Sequence, residues 1–387
     1  MTSFKRTRWL TIICSARVWG FTSNPTWRNL PCSSCIRSST ASSPNFHQQL
    51  ALGNGRQVTS AATAATAVEG STGHSVGGVK VIYDELFLRH VPPPGYPHPE
   101  CPERVSTVRD ALEGVEGVRW ARPSMMASED RRSEVLAAVE RVHKPAYLDE
   151  IRGICARGGG AADSDTYISP DTFKVCLAAS CAWMDAVESA IDGAPAFALS
   201  RPPGHHALAG TAMGFCVVCF AAVAAYHALD TLGCEKVAML DFDVHHGNGV
   251  AALVRQEPRI RYCSIHQGGI FPGSGFAEDA GPKKNLRHLP FYGFGETWET
   301  YEAKFEEALQ WLQEFEPDLI LVSAGYDALD ADELATASLQ SADFGRIGKR
   351  IRDVFGDKVA FGLEGGYNLE ETPKAIRETL QPFLVAA

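Results

Sequence analysis

The stretch Lys236-Val-Ala-Met-Leu-Asp-Phe-Asp-Val-His-His-Gly-Asn-Gly249 decides how the chain folds. Its first half is apolar on successive positions, as a strand covered on both faces of a parallel sheet must be. It then turns polar, setting Asp241, Asp243, His245 and His246 just before a turn bounded by Gly247 and Gly249. Open parallel sheets bind ligands beyond the carboxyl ends of their strands, so polar clusters at that edge point to chemistry. Three other expected strands end in the same way. Ala196–Leu199 runs into Arg201-Pro-Pro-Gly-His205-His206, Leu319–Ser323 into Ala-Gly-Tyr326-Asp327, and Val359–Leu363 into Glu364-Gly-Gly-Tyr367-Asn368.

Outward from this centre, Val79–Tyr83 and Ile260–Ile265 complete the expected strands. Amphipathic stretches at Glu103–Leu112, Pro145–Cys155, Thr172–Ile191, Phe215–Leu232, Thr297–Glu314, Ala342–Phe355 and Glu370–Leu384 alternate with them as helices. Strands alternating with helices predict an α/β fold, a mostly parallel sheet flanked by helices, in one domain over residues 79–387.

Residues 1–68 differ from this body. They carry seven basic residues, no Asp or Glu, and 19 Ser and Thr. An Arg-rich, Ser-rich, acid-poor segment predicts an organellar transit peptide, with the leader placed at 1–78. Its expected destination is the chloroplast stroma or the mitochondrial matrix; the alternatives are a disordered extension and a cytoplasmic pool. Of the chain's 36 basic and 46 acidic residues, 29 and 46 then belong to the body. An acidic body disfavours phosphate backbones, so no direct nucleic-acid binding is expected; the same field attracts cationic substrates. The run Met213–Tyr226 is too short for a bilayer crossing, which needs roughly 20 residues. The scattered body cysteines do not form a disulfide framework, and Cys216-x-x-Cys219 lies in an apolar segment that favours core packing.

Asp243 and His245 stand two apart, so on an extended chain their side chains point the same way. With Asp327 they make a three-ligand site that leaves a coordination position open, the mark of a catalytic zinc. Asp241 projects alongside and can accept from a histidine N–H. The pairs His205-His206 and His245-His246 supply a general base and acid, and Tyr367 on its glycine turn a donor to an oxyanion. Other motifs fail. The twelfth position of a calcium loop begun at Asp241 is Ala252 rather than Glu. Gly273-Ser-Gly275 lacks the serine-hydrolase frame. Gly247-Asn-Gly249-Val-Ala-Ala252 has the spacing of a dinucleotide turn, but the next strand ends in Ser264-Ile-His266 with no acid for a ribose.

The motifs His98-Pro-Glu-Cys-Pro-Glu-Arg104, Asp165-Thr-Tyr167, Arg201-Pro-Pro-Gly-His-His-Ala207, Gly214-Phe-Cys216, Asp241 to Gly249, Phe271-Pro-Gly-Ser-Gly275, Ser323 to Ala328 and Leu363 to Asn368 resemble the zinc-dependent histone deacetylases. The resemblance is to the class II-like branch that includes bacterial deacetylases and acetylpolyamine amidohydrolases. It implies an arginase/deacetylase fold with an eight-stranded sheet, and one zinc on Asp243, His245 and Asp327. It further implies His205 and His206 as the active-site pair with His206 as base and acid, and Tyr367 at the oxyanion. Gly214, Phe215 and Phe271 would line an acyl-lysine channel. Asp241, Asp243 and Ser264 would help hold a structural potassium, with Asn248 beside the second histidine.

The sequence departs from that family at Cys219-Phe220, where relatives often carry an Asn pair, and at Asp330-Ala-Asp332-Glu333-Leu334, where they carry Gly-Asp-Pro. The polyamine-selective branch has Glu seven residues past the third metal Asp; Leu334 stands there and Glu333 beside it. This favours an acetylated protein as substrate over an acetylated amine, with binding of acetylated partners without turnover as the reading from another class.

Overall fold

The structure is a computed structural model that describes residues 78–384. The expected leader, apart from Gly78, lies outside the described residues. The eight strands of the main sheet are β1 (Val79–Ile82), β2 (Val118–Ala121), β5 (Ala196–Ala198), β6 (Val237–Asp241), β7 (Ile260–Gln267), β8 (Leu286–Phe291), β9 (Leu319–Ala324) and β10 (Val359–Leu363). A separate hairpin pairs β3 (Gly160–Ala161) with β4 (Tyr167–Ile168). The main sheet runs β2-β1-β5-β10-β9-β6-β7-β8, and each neighbouring pair is parallel. This is the α/β architecture expected from the sequence. Among the described residues no helix is long and apolar enough to cross a membrane.

The helices in chain order are α1 (Glu103–Leu112), α2 (Glu129–Val142), α3 (Pro145–Ala156), α4 (Thr172–Ile191), α5 (Phe220–Asp230), α6 (Asn248–Val254), α7 (Trp298–Gln313), α8 (Ser341–Phe355) and α9 (Glu371–Leu384). The expected helix Phe215–Leu232 starts late, at Phe220. Gly214 and Phe215 have φ of 55° and 68°, left-handed conformations that a continuing helix cannot contain. Besides the short β3-β4 hairpin, two strands of the main sheet escape the sequence reading because they are its edges. β2 is only four residues and half-exposed, and β8 contains Pro290, which is tolerated at an edge where the ladder needs no donor. Helix α2 is highly charged but is started by Ser128, whose side chain accepts from the Arg131 N–H at 3.2 Å.

The four strands β5, β10, β9 and β6 lie side by side at the sheet's centre. Their carboxyl ends therefore deliver all four polar clusters to one place. Beneath the clusters the sheet is closely packed against α4. A Cβ built on Gly362 of β10 would stand 2.0 Å from the Trp183 indole, so only glycine leaves room for that ring.

A buried ionic hub ties the loops together. Glu100 accepts from Arg201 Nε and Nη2 at 2.8 and 2.6 Å and from the Tyr167 hydroxyl at 2.7 Å. Arg104 Nη1 approaches the same carboxylate at 3.4 Å. Burial alone would raise the Glu100 carboxyl, but Arg201, His90 and Arg104 outweigh it and hold the group at about 2. Arg201 leads into the His205-His206 loop, while Arg104 donates from Nε to the Gly366 carbonyl at 2.8 Å.

Two outcomes are expected. Because the folded-state value of Glu100 is depressed, its stabilisation is fully present above the ordinary carboxylate range and is lost as pH falls through about 2. Glu100→Gln should cost about 3–5 kcal/mol near neutral pH, the typical result of unpairing a buried ion. The deficit should shrink between about pH 4.5 and 2 in denaturant titrations; a pH-independent deficit would contradict the assignment. Gly362→Ala should lower stability by about 1–3 kcal/mol through overpacking against Trp183, read as a lower denaturation midpoint at unchanged slope.

Candidate metal centre and active site

After β6 ends at Asp241 the chain bends, and Asp243 and His245 come to face Asp327 beyond β9. One ligand atom from each of Asp243, His245 and Asp327 lies within 4.8 Å of the others. His245 Nδ1 stands 3.2 Å from Asp243 Oδ1 and 2.9 Å from Asp327 Oδ2. The second carboxylate oxygens are fixed by backbone: Gly365 N–H donates to Asp243 Oδ2 at 2.8 Å and Val244 N–H to Asp327 Oδ1 at 2.9 Å. Glycine is required around them, since a Cβ on Gly325 would lie 2.1 Å from Asp243 Oδ2 and one on Gly365 2.4 Å from Asp327 Oδ2.

The electrostatics of this trio favour a cation. Burial and the Asp243 charge push Asp327 up to about 7, against the pull of His245. Burial works to lower His245, but Asp327 and Asp243 outweigh it and raise the imidazole to about 10. Two carboxylates and an imidazole with an open side, cradled by backbone, match the donor set of a divalent metal with a free coordination position. His205, Cys216 and Glu364 are grouped as closely, but their atoms are committed elsewhere. Glu364 Oε2 accepts from the Gly204 and His205 N–H groups at 2.6 and 3.0 Å, and the Cys216 thiol reaches the Gly214 carbonyl at 3.3 Å.

The two histidines beside the trio are in different states. His205 Nδ1 lies 3.1 Å from Asp241 Oδ2. Burial works against its charge, but Asp243 and Asp241 raise it well above the ordinary histidine range. His206 Nδ1 lies 2.8 Å from Asn248 Oδ1. An amide oxygen only accepts, so this nitrogen carries the proton and Nε2 is left as a bare base. Burial, then His205 and His245, lower His206 well below the usual range. Asp241, held in turn by the Tyr262 hydroxyl at 2.7 Å, is thus the acceptor expected for a histidine N–H.

Tyr367 is half-buried on the loop after β10. The Phe215 ring lies 5.7 Å from the Tyr367 ring and packs against His98 on its other side, at 4.7 Å. Phe271, 42 % exposed, meets His206 at 5.0 Å and His245 at 6.4 Å. Gly214 fills the gap between them: a Cβ there would stand 2.7 Å from His206 and 2.8 Å from Phe271.

Ser264 pairs in register with Asp241 on the adjacent strand, and its hydroxyl bonds His266 Nδ1 at 2.9 Å. Leu334 lies on the loop following Asp327, partly buried, with Glu333 exposed beside it. The geometry adds residues that had no assigned role. Arg104 places its guanidinium 4.5 Å from the centre of the Tyr367 ring. Asp332 accepts from the Tyr367 N–H at 2.7 Å. Glu364, pushed up to about 7 by burial against the pull of His205, anchors the His205 loop. Arg104 and Glu364 lie within motifs already quoted, where type and position give no hint of these long-range partners.

Comparison with known proteins agrees with this geometry. Residues 98–382 match the histone deacetylase domain. The chain is 41% identical over 310 residues to the uncharacterized protein slr0245 of Synechocystis, covering 79% of this chain and 99% of that one. It is 35% identical over 309 residues to histone deacetylase 10, chloroplastic, of rice, covering 74% and 70%. Among solved structures, the HDA15 HD domain superposes with a TM-score of 0.72 at 29% identity, covering 79% of this chain and 91% of that one. A domain match over most of the described residues, joined to this strand order and polar edge, makes the chain a hydrolase of the histone deacetylase family.

Proposed function

We propose that the protein hydrolyses N-acetyl amides with one zinc ion held by Asp243, His245 and Asp327, acting on acetyl-lysine in proteins. The observation that carries this reading is the close grouping of Asp243, His245 and Asp327, one ligand atom of each within 4.8 Å of the others, with the buried His206 ring 6.0 Å from that of His245. Zinc bound there supplies Lewis-acid chemistry, acidifying a water and polarising the acyl carbonyl.

The chain's own residues do the rest. His206 Nε2 takes a proton from the attacking water and returns it to the departing amine, while its Nδ1–H stays on Asn248. His205, charged against Asp241, contributes a positive field rather than a proton shuttle. Tyr367 donates its hydroxyl to the developing oxyanion. Phe215 and Phe271 grip the aliphatic stem, with Gly214 contributing backbone, and exclude water from the reacting bond. Leu334 lies on the loop beside this channel, and its apolar side chain suits a neutral stem better than a second ammonium. Asp241, Asp243 and Ser264 hold a structural potassium. The acid-free, arginine-bearing first 68 residues support delivery to an organelle, the chloroplast stroma or mitochondrial matrix, and the chloroplastic rice relative fits that reading.

Activity on an acetyl-lysine peptide should vanish on chelation, return with about one equivalent of zinc, and be absent in Asp243→Ala. His206→Ala should lower kcat about 10²–10⁴-fold and Tyr367→Phe about 10²–10³-fold. Hydrolysis that persists without metal would reject the scheme. If acetylated polyamines instead show the higher kcat/KM, the substrate is a small amine and the protein reading fails.

A further inference from the structure

We infer that Asp332 is a positioning residue that sets the oxyanion donor Tyr367 and the backbone at Leu334 in a single register. The inference rests on the deacetylase reading above. Asp332 is 6 % exposed, yet its carboxylate finds backbone N–H groups and no cation partner among the described residues. Oδ2 accepts from the Tyr367 N–H at 2.7 Å and Oδ1 from the Leu334 N–H at 2.9 Å. One residue earlier, the Ala331 carbonyl accepts from Asn368 Nδ2 at 2.9 Å. The loop after Asp327 is therefore stapled twice to the loop that carries the phenol.

Burying a carboxylate without an ion pair is costly. A serine or asparagine would satisfy one of those N–H groups at a lower desolvation cost. Only a carboxylate offers two acceptor oxygens, one to each loop, and that is the arrangement present. Among the described residues the Tyr367 side chain is held by ring contacts, with Arg104 on one face and Phe215 at its edge. The Asp332 bond holds the backbone amide from which the phenol swings, beside the Arg104 bond to the Gly366 carbonyl one residue earlier. The same bond pair fixes the register of Glu333-Leu334 against the loop that carries Tyr367.

The test is a double-mutant cycle between Asp332→Asn and Tyr367→Phe on the full-length, zinc-loaded chain. Asparagine keeps the shape but can accept only one of the two N–H groups. In the otherwise native chain, D332N should lower kcat for an acetyl-lysine peptide about tenfold with KM within about twofold, since a misplaced oxyanion donor costs turnover first. In the Tyr367→Phe background it should cost nothing further, because groups that act as a unit are not additive. Affinity for acetohydroxamate, a metal chelator that presents an oxygen near the phenol, is read in parallel and needs no turnover. It should weaken in each single variant and no further in the double.

Equal losses in both backgrounds, or no loss in the native one, overturn the inference. A native chain that binds the hydroxamate non-additively but cleaves no acylated peptide or amine supports Asp332 and rejects the deacetylase reading. A native chain that binds neither zinc nor hydroxamate rejects both. If D332N does not fold, Asp332→Ser carries the same cycle. Failure of both to fold would make the carboxylate merely structural, and the inference falls.

Discussion

Two carboxylates, Asp243 and Asp327, are buried within one ion's reach of each other, and the rest of the site follows from making that tolerable. Like charges about 4 Å apart repel by about 4 kcal/mol even at an effective dielectric of 20. A protonated His245 offsets one of the two charges; a divalent cation offsets both and releases the imidazole to serve as a ligand. Backbone N–H groups from Gly365 and Val244 hold the outer oxygens, and glycines at 325 and 365 let main chain approach where any side chain would collide. These needs explain why four central strands end in glycine-bearing turns.

The fold and the grouping of Asp243, His245 and Asp327 were legible because they rest on local pattern. Apolar runs gave β6, β9 and β10, and the polar break after each gave Asp243, Asp327 and Tyr367. The misses have a different origin. β8 hides behind Pro290, which a central strand would reject, and β2 is too short to show a period. The late start of α5 depends on left-handed backbone at Gly214 and Phe215, which no apolar count detects. Arg104, Glu364 and Asp332 act through partners 35 to 262 positions away in the chain, and spacing within a motif carries no information about such pairings. The leader's composition was equally plain, but it lies outside the described residues.

Glu100 shows how the fold connects parts that the sequence keeps apart. One carboxylate collects Arg201, Tyr167 and Arg104, and through the two arginines it reaches both the histidine loop and the tyrosine loop. The His205-His206 loop and the Tyr367 loop are thus braced from a common point. A loop-built site normally gives up rigidity for adaptability; here a buried ionic core restores the rigidity without lengthening any strand.

The two imidazoles at 205 and 206 face different acceptors, and the contrast has a kinetic meaning. A carboxylate next to a ring makes a deep resting place for positive charge, as Asp241 does for His205. The amide of Asn248 orients its neighbour equally well but offers no counter-ion. A hydrogen ion that arrives on His206 therefore sits in a shallow well, and shallow wells empty fast. For the base proposed at His206, the neutral partner that weakens the ring as an acceptor makes it a quicker donor.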